Sequence, residues 1–159
     1  MSSTVQLNPA ARLVWQSMVL VGLLLAAVGI LDLVQLWVPL QLGIPEWEYG
    51  TASSFFDQFP AVGLGLALML GGSLALGWRW SARSLGIFCL ALAIGMWLVA
   101  AVYLTVVPFV FKAVREPVVL TGVKKGLVKT LVQALVYPLA LLWLAGLAWW
   151  GTRNVRRSQ

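Results

Sequence analysis

Residues 39–60 read PLQLGIPEWEYGTASSFFDQFP, the longest break between apolar segments in the chain. The stretch holds Glu46, Glu48 and Asp57, three of the five acidic residues. On both sides of it the sequence stays apolar for about the 20 residues that a helix needs to cross a bilayer. Taken as a connector, it divides the flanking chain into membrane spans. Before it, Asn8-Pro9 marks a helix start, with Asn8 at the N-cap and proline at the first helical position. A first span then runs from Leu13 to Val38 and stops at Pro39. After it, the pattern predicts spans at 61–78, 85–107 and 131–150, and 108–130 becomes a second connector on the same side. The expected fold is an all-α integral membrane protein: a four-helix bundle in one domain, with a small extracytoplasmic cap built from 39–60 and 108–130.

Composition agrees with this division. Of 159 residues, 61% are hydrophobic and 10% charged, and the mean hydropathy is +0.92. A soluble domain carries roughly 25% charged residues, so the apolar excess here requires lipid. The Leu13–Leu31 run outlasts the ~7–15 residues of a signal-peptide core and is expected to remain as a span. The net charge of +6 would suggest nucleic acid in a soluble protein. Here the basic residues flank apolar runs, so topology accounts for them and no nucleic-acid partner is expected. Histidine is absent, which removes the commonest neutral-pH acid–base group and metal ligand. Cys89 is the one cysteine, and its setting, GIFCLAL, is that of a small buried hydrophobe. No metal, cofactor or catalytic set is expected.

Arginine placement sets the orientation. Arg12, Arg79, Arg83, Arg153, Arg156 and Arg157 fall on one side of a four-span chain, and Lys112, Arg115, Lys124, Lys125 and Lys129 on the other. The arginine side is expected to be cytoplasmic, with both termini inside a bacterial-type plasma membrane. The acidic connector on the outer face would neutralise the basic segment opposite it. Counting ~20 residues inward from each arginine puts the outer hydrocarbon boundary near Asp32, Phe59, Tyr103 and Gln133. Apolar sequence continues past these points, so several helices are expected to protrude. Trp15, Trp78, Trp80, Trp149 and Trp150 then sit at the inner interface and Trp37 and Trp47 near the outer one, as aromatic belts do.

Three constellations invite interpretation. Gly63, Ala67, Gly71 and Ala75 recur every fourth residue, predicting a small-residue face where another helix approaches closely; Gly22, Ala26 and Gly29 give the first span a shorter version. Asp32 is the carboxylate that falls inside an apolar run. Lys125, Lys129 and Gln133 descend at i, i+4 and i+8 into the fourth span, which predicts a structural pair of Asp32 with Lys129 or Lys125. In the connector, Glu46 and Glu48 alternate with Trp47 and Tyr49, an arrangement expected of a short extended segment. Gly50 would end it, and Ser54-x-x-Asp57 would cap a short helix.

These residues leave three function classes. A non-catalytic accessory or structural subunit of a larger membrane assembly fits best, in contact with lipid and with other subunits or itself. A small oligomeric carrier or channel would use Asp32, Lys129 and Pro138, and a lipid- or quinone-binding protein would use the outer aromatics. For the threading, cysteines placed at Ser3 and Ser158 are expected to react only with membrane-permeant reagents in intact cells. Labelling of either by an impermeant maleimide would reverse the orientation.

Overall fold

The structure, a computed structural model, describes residues 8–38, 40–41 and 43–157, with side chains described through 153. Its described residues form four helices: α1 Pro9–Gln35, α2 Pro45–Ala75, α3 Arg79–Ala113 and α4 Pro117–Arg157. All four are long and apolar enough to cross a membrane, so the chain is an integral membrane protein built as a helical bundle. Asn8 caps α1 as expected, accepting the Ala10 N–H at 3.3 Å ahead of proline in the first turn.

The connectors are much shorter than the sequence suggested. Residues 45–60 belong to α2, which starts at Pro45 and continues through Pro60. Proline is favoured in a first turn, where its missing N–H has no helical partner to lose. Glu46 and Glu48 follow in that first turn, at the positive end of the helix dipole. The Glu48 carboxylate also accepts the N–H of Gly43, at 2.8 Å, where the turn has φ +89°. The expected extended segment at Glu46–Tyr49 is therefore helix, Gly50 lies within it, and Ser54 to Asp57 starts nothing. The 108–130 connector likewise shrinks to residues 114–116, with Pro108 inside α3 and α4 beginning at Pro117. Proline inside a spanning helix is tolerated because neighbours re-satisfy the freed carbonyl.

The lengths reveal what becomes of the cap. α1 has 27 residues, but α2, α3 and α4 have 31, 35 and 41. The stretch of α2 before the outer boundary, Pro45–Phe56, adds roughly 18 Å at ~1.5 Å per residue. The segments expected to form the cap are thus continuations of α2, α3 and α4, with Trp37 against Trp47 at that end (centroids 6.1 Å apart, edge to face).

α2 is the centre of the bundle. It packs against α1, α3 and α4, α3 packs also on α4, and α1 approaches α2 alone. The α1–α2 contact is antiparallel and very close. A Cβ on Gly22 would lie 2.6 Å from the Gly65 carbonyl oxygen, one on Gly65 2.6 Å from the Ala26 nitrogen, and one on Gly72 2.9 Å from the Trp15 carbonyl oxygen. On α1 the buried positions are Gly22, Ala26, Gly29 and Leu33, the face the sequence marked as the shorter stripe. On α2 the contact face is Val62, Gly65 and Gly72, in place of Gly63, Ala67, Gly71 and Ala75. Gly71 is exposed, with open space where a Cβ would stand, and the other three are half-buried. Helical geometry explains the difference. Each i+4 step drifts about 40°, so the strict stripe winds roughly 120° around α2. Steps of seven drift only ~20° and stay on one face.

The same alternating 4-3 spacing builds the α3 face, where Ala82, Gly86, Cys89, Ala93 and Met96 are buried. A Cβ on Gly86 would meet the Ala148 methyl at 2.8 Å, so α3 and α4 also approach closely near the inner end. Phe56, Phe59, Val62, Leu66 and Leu141 fill the space between these faces, and Cys89 is fully buried there. Trp97 and Trp143 point outward, 45% and 71% exposed, toward lipid. Gly65→Ala is expected to cost about 1–3 kcal/mol, because the added methyl meets backbone that cannot shift. Gly71→Ala should stay within about 0.5 kcal/mol. Thermal unfolding in mild detergent separates the two, and equal effects would contradict this packing.

Candidate functional site

Polar side chains gather along one seam of the outer half, where α2 faces α4 and α3 closes the side. The two helices run parallel there, so residues at similar spacing meet in register. Tyr49 donates to the Val123 carbonyl at 2.8 Å, and its oxygen lies 3.1 Å from where a Cβ on Gly126 would stand. One turn on, the Ser53 and Thr130 hydroxyls are 3.0 Å apart, and Thr130 is fully buried. A further turn on, Lys129 Nζ reaches Asp57 Oδ1 at 2.7 Å, and Gln133 Nε2 donates to the same oxygen at 3.0 Å. Gln133 Nε2 also lies 3.4 Å from the Tyr137 hydroxyl, and the Tyr137 ring tilts against Phe59 with centroids 5.4 Å apart. From α3, Tyr103 stacks on Tyr49 with centroids 5.1 Å apart.

Lys129 therefore meets Asp57, where the sequence suggested Asp32. Lys129 and Gln133 of that stripe both converge on one carboxylate. Asp32 is excluded by topology: it sits on α1, which touches only α2, so α4 lies out of its reach. Lys125 is exposed and forms no ion pair among the described residues, and Glu46 is exposed as well. The acidic first connector is thus joined to the basic start of α4 at Asp57.

Burial decides which of these contacts matters for stability. The Lys129 and Asp57 side chains are 58% and 40% exposed, and an exposed pair contributes about 0–1 kcal/mol. Thr130 is 0% exposed, and a buried hydroxyl left without its partner costs about 1–3 kcal/mol. The hydroxyl pair is the stronger lock. Two buried polar atoms of the seam, the Tyr103 hydroxyl and Gln133 Oε1, have no hydrogen-bond partner among the described residues.

Chemically the seam offers hydroxyls, one carboxamide and one ion pair. It can clamp α2 to α4 and hold the helical cap upright. No group of three acidic, histidine or cysteine side chains that could hold a metal occurs among the described residues. The contributions of Ser53, Thr130 and Tyr103 were not drawn from the sequence. A signal was present: polar residues at 49, 53 and 57 and at 130, 133 and 137 recur at helical spacing within otherwise apolar stretches. Comparison with protein-family models, characterised proteins and solved structures gives no match to this chain.

In a double-mutant cycle followed by thermal unfolding, Asp57→Asn and Lys129→Gln should couple by a few tenths to about 1 kcal/mol. Asp32→Asn should be additive with Lys129→Gln. Thr130→Val should cost more than either charge substitution. Coupling between Asp32 and Lys129 would overturn the assignment.

Proposed function

We propose that the chain is a non-catalytic structural subunit of a larger membrane assembly, with α1 and the outward face of α2 as its contact surface. The observation that supports this best is the open space at Gly71. Small residues in membrane helices serve close helix approach, and of the stripe Gly63, Ala67, Gly71 and Ala75 the chain's own packing half-covers three and leaves Gly71 open. Beside them runs an apolar groove of about 560 Å³ between Leu13, Val14, Ser17, Met18 and Val21 of α1 and Leu68 of α2. Gly71 is one turn from Leu68 and continues the same face. α1 adds a long apolar surface, because a helix held by one neighbour leaves most of its circumference uncovered. The polar seam supports the same role, since its ion pair and hydroxyls are spent on joining helices. In this proposal the arginine-rich end and both termini face the cytoplasm of a bacterial inner membrane, as the excess of inner arginines favours.

Gly71→Leu is the test. Filling an open position should leave the unfolding temperature of the purified chain unchanged. It should also release the subunits, or second copies, that co-purify with the unaltered chain from native membranes in mild detergent. An unaltered chain that purifies as a bare monomer, or full retention of partners by Gly71→Leu, would refute the proposal.

A further inference from the structure

The outward face of α4 carries lysines in line with the apolar residues that meet lipid. Val118, Lys125, Val128, Val132, Leu139 and Trp143 follow one another at steps of three, four or seven. At ~100° per residue this keeps them within an arc of roughly 80°, and all six are exposed. They lie opposite Ala134, Leu141 and Ala148, which α4 buries against the bundle. Lys124 and Lys129, both exposed, stand on the two edges of the same arc.

A solvated run of charge would not account for the valines. Val118 is 84% exposed and Val128 63%, one on either side of Lys125 along the face. Past Val128 the face continues apolar through Val132, Leu139 and Trp143 into the part of α4 that crosses the membrane. Acyl chains cover that part, so the headgroups of the same lipids extend toward the lysines. Counting ~20 residues from Trp150 at the far end reaches Thr130. Lys124 and Lys125 stand about 8 Å further along the axis, within reach of a headgroup for a long side chain lying on apolar surface. Two of the carboxylates at this end are engaged elsewhere: Asp57 takes Lys129 at 2.7 Å, and Glu48 accepts the Gly43 N–H. Glu116 precedes the first turn of α4, about 12 Å from Lys124 along the axis.

We infer that this face of α4 holds an anionic phospholipid, with Lys124 and Lys125 at the headgroup phosphate and Val128 and Val132 against the upper acyl chains. An ammonium group meets phosphate as a point charge with three donors. Basic residues beside a membrane helix draw anionic lipid to it. Lys129 is already neutralised by Asp57, so the attraction comes from the other two lysines. The unbroken apolar face favours a lipid over an acidic protein or a soluble anion, because a lipid alone supplies both the charge and the hydrocarbon that the face matches. The same chemistry applies in either leaflet, so the site stands whichever way the chain is threaded.

The test is local quenching in vesicles of equal parts phosphatidylglycerol and phosphatidylcholine. A bimane is attached to the full chain at Val128→Cys, Cys89 being buried, and a nitroxide is carried high on the acyl chain of one lipid or the other. Labelled phosphatidylglycerol is expected to quench about fivefold more than labelled phosphatidylcholine, the effect of one basic group near an anionic headgroup. Lys124→Gln with Lys125→Gln should bring the ratio to about one. A bimane at Leu31→Cys, exposed at the same end on α1, should report no preference. Equal quenching at 128, a preference that survives the lysine substitutions, or the same preference at 31 would overturn the site. Absence of quenching by either lipid at 128 would place protein on this face and overturn the lipid. Salt gives a check that needs no lysine variant: at 1 M, where screening acts within ~3 Å, the preference at 128 should vanish, and its persistence would overturn the charge contact.

Discussion

Between α1 and α2, the carbonyl oxygen of Gly65 occupies the place where any side chain on Gly22 would begin. The arrangement of the bundle depends on that contact. Inside lipid, burying an apolar side chain between helices gains little, because the acyl chains are as apolar as leucine. Helices associate there through dispersion, which is useful only at contact distance. Glycine and alanine permit that distance, and where they recur on a steady face two backbones can follow each other for several turns. Gly22, Ala26 and Gly29 meet Gly65 and Val62 in this way, and Gly72 meets Trp15 and Val19 further along. With one flank of α2 so occupied, α3 and α4 take the other, and α2 becomes the helix that all others touch.

The central position of α2 explains the polar seam. A helix that continues past the hydrocarbon needs partners beyond it, and α2 finds them on α4. Tyr49, Ser53 and Asp57 recur at four-residue intervals and drift about 40° per step, so they follow the α2–α4 groove as the helices cross. The hydroxyl pair, with Thr130 buried, fixes the helices, and the ion pair sits where both side chains stay partly exposed, each where its chemistry is most effective. A charge pair deep in the bundle would carry a desolvation penalty that its attraction does not reliably offset. A hydroxyl pair carries less.

The two ends of the molecule differ in how their charge is balanced. At the outer end, acidic and basic residues share the same surface, and one pair closes within the chain. At the opposite end the arginines gather away from the five carboxylate side chains. The sides of the bundle differ as well. α3 and α4 cover each other, whereas α1 is held by α2 alone and leaves an apolar groove beside exposed Gly71.

Hydropathy, proline and charge determined by themselves that the chain is a bundle of four membrane helices, capped at Asn8, with six of the seven arginines at one end and the carboxylates at the other. These are local properties: an apolar run of span length has one stable solution in lipid, whatever its neighbours do. The sequence also held the correct start of α2, in the proline and glutamates of Pro45–Glu48, but the polar composition of 39–60 outweighed it. Polarity marks departure from hydrocarbon, and a helix can leave hydrocarbon without ending. Tertiary structure alone decided which small-residue face is buried, since Gly65 and Gly72 look no different in sequence from Gly63 and Gly71. It also decided which acid meets Lys129. Asp32 and Asp57 both lie toward the same end of the bundle, and depth along the helices does not distinguish them. Adjacency does, because α1 is confined to the far flank of α2, where α4 cannot be reached.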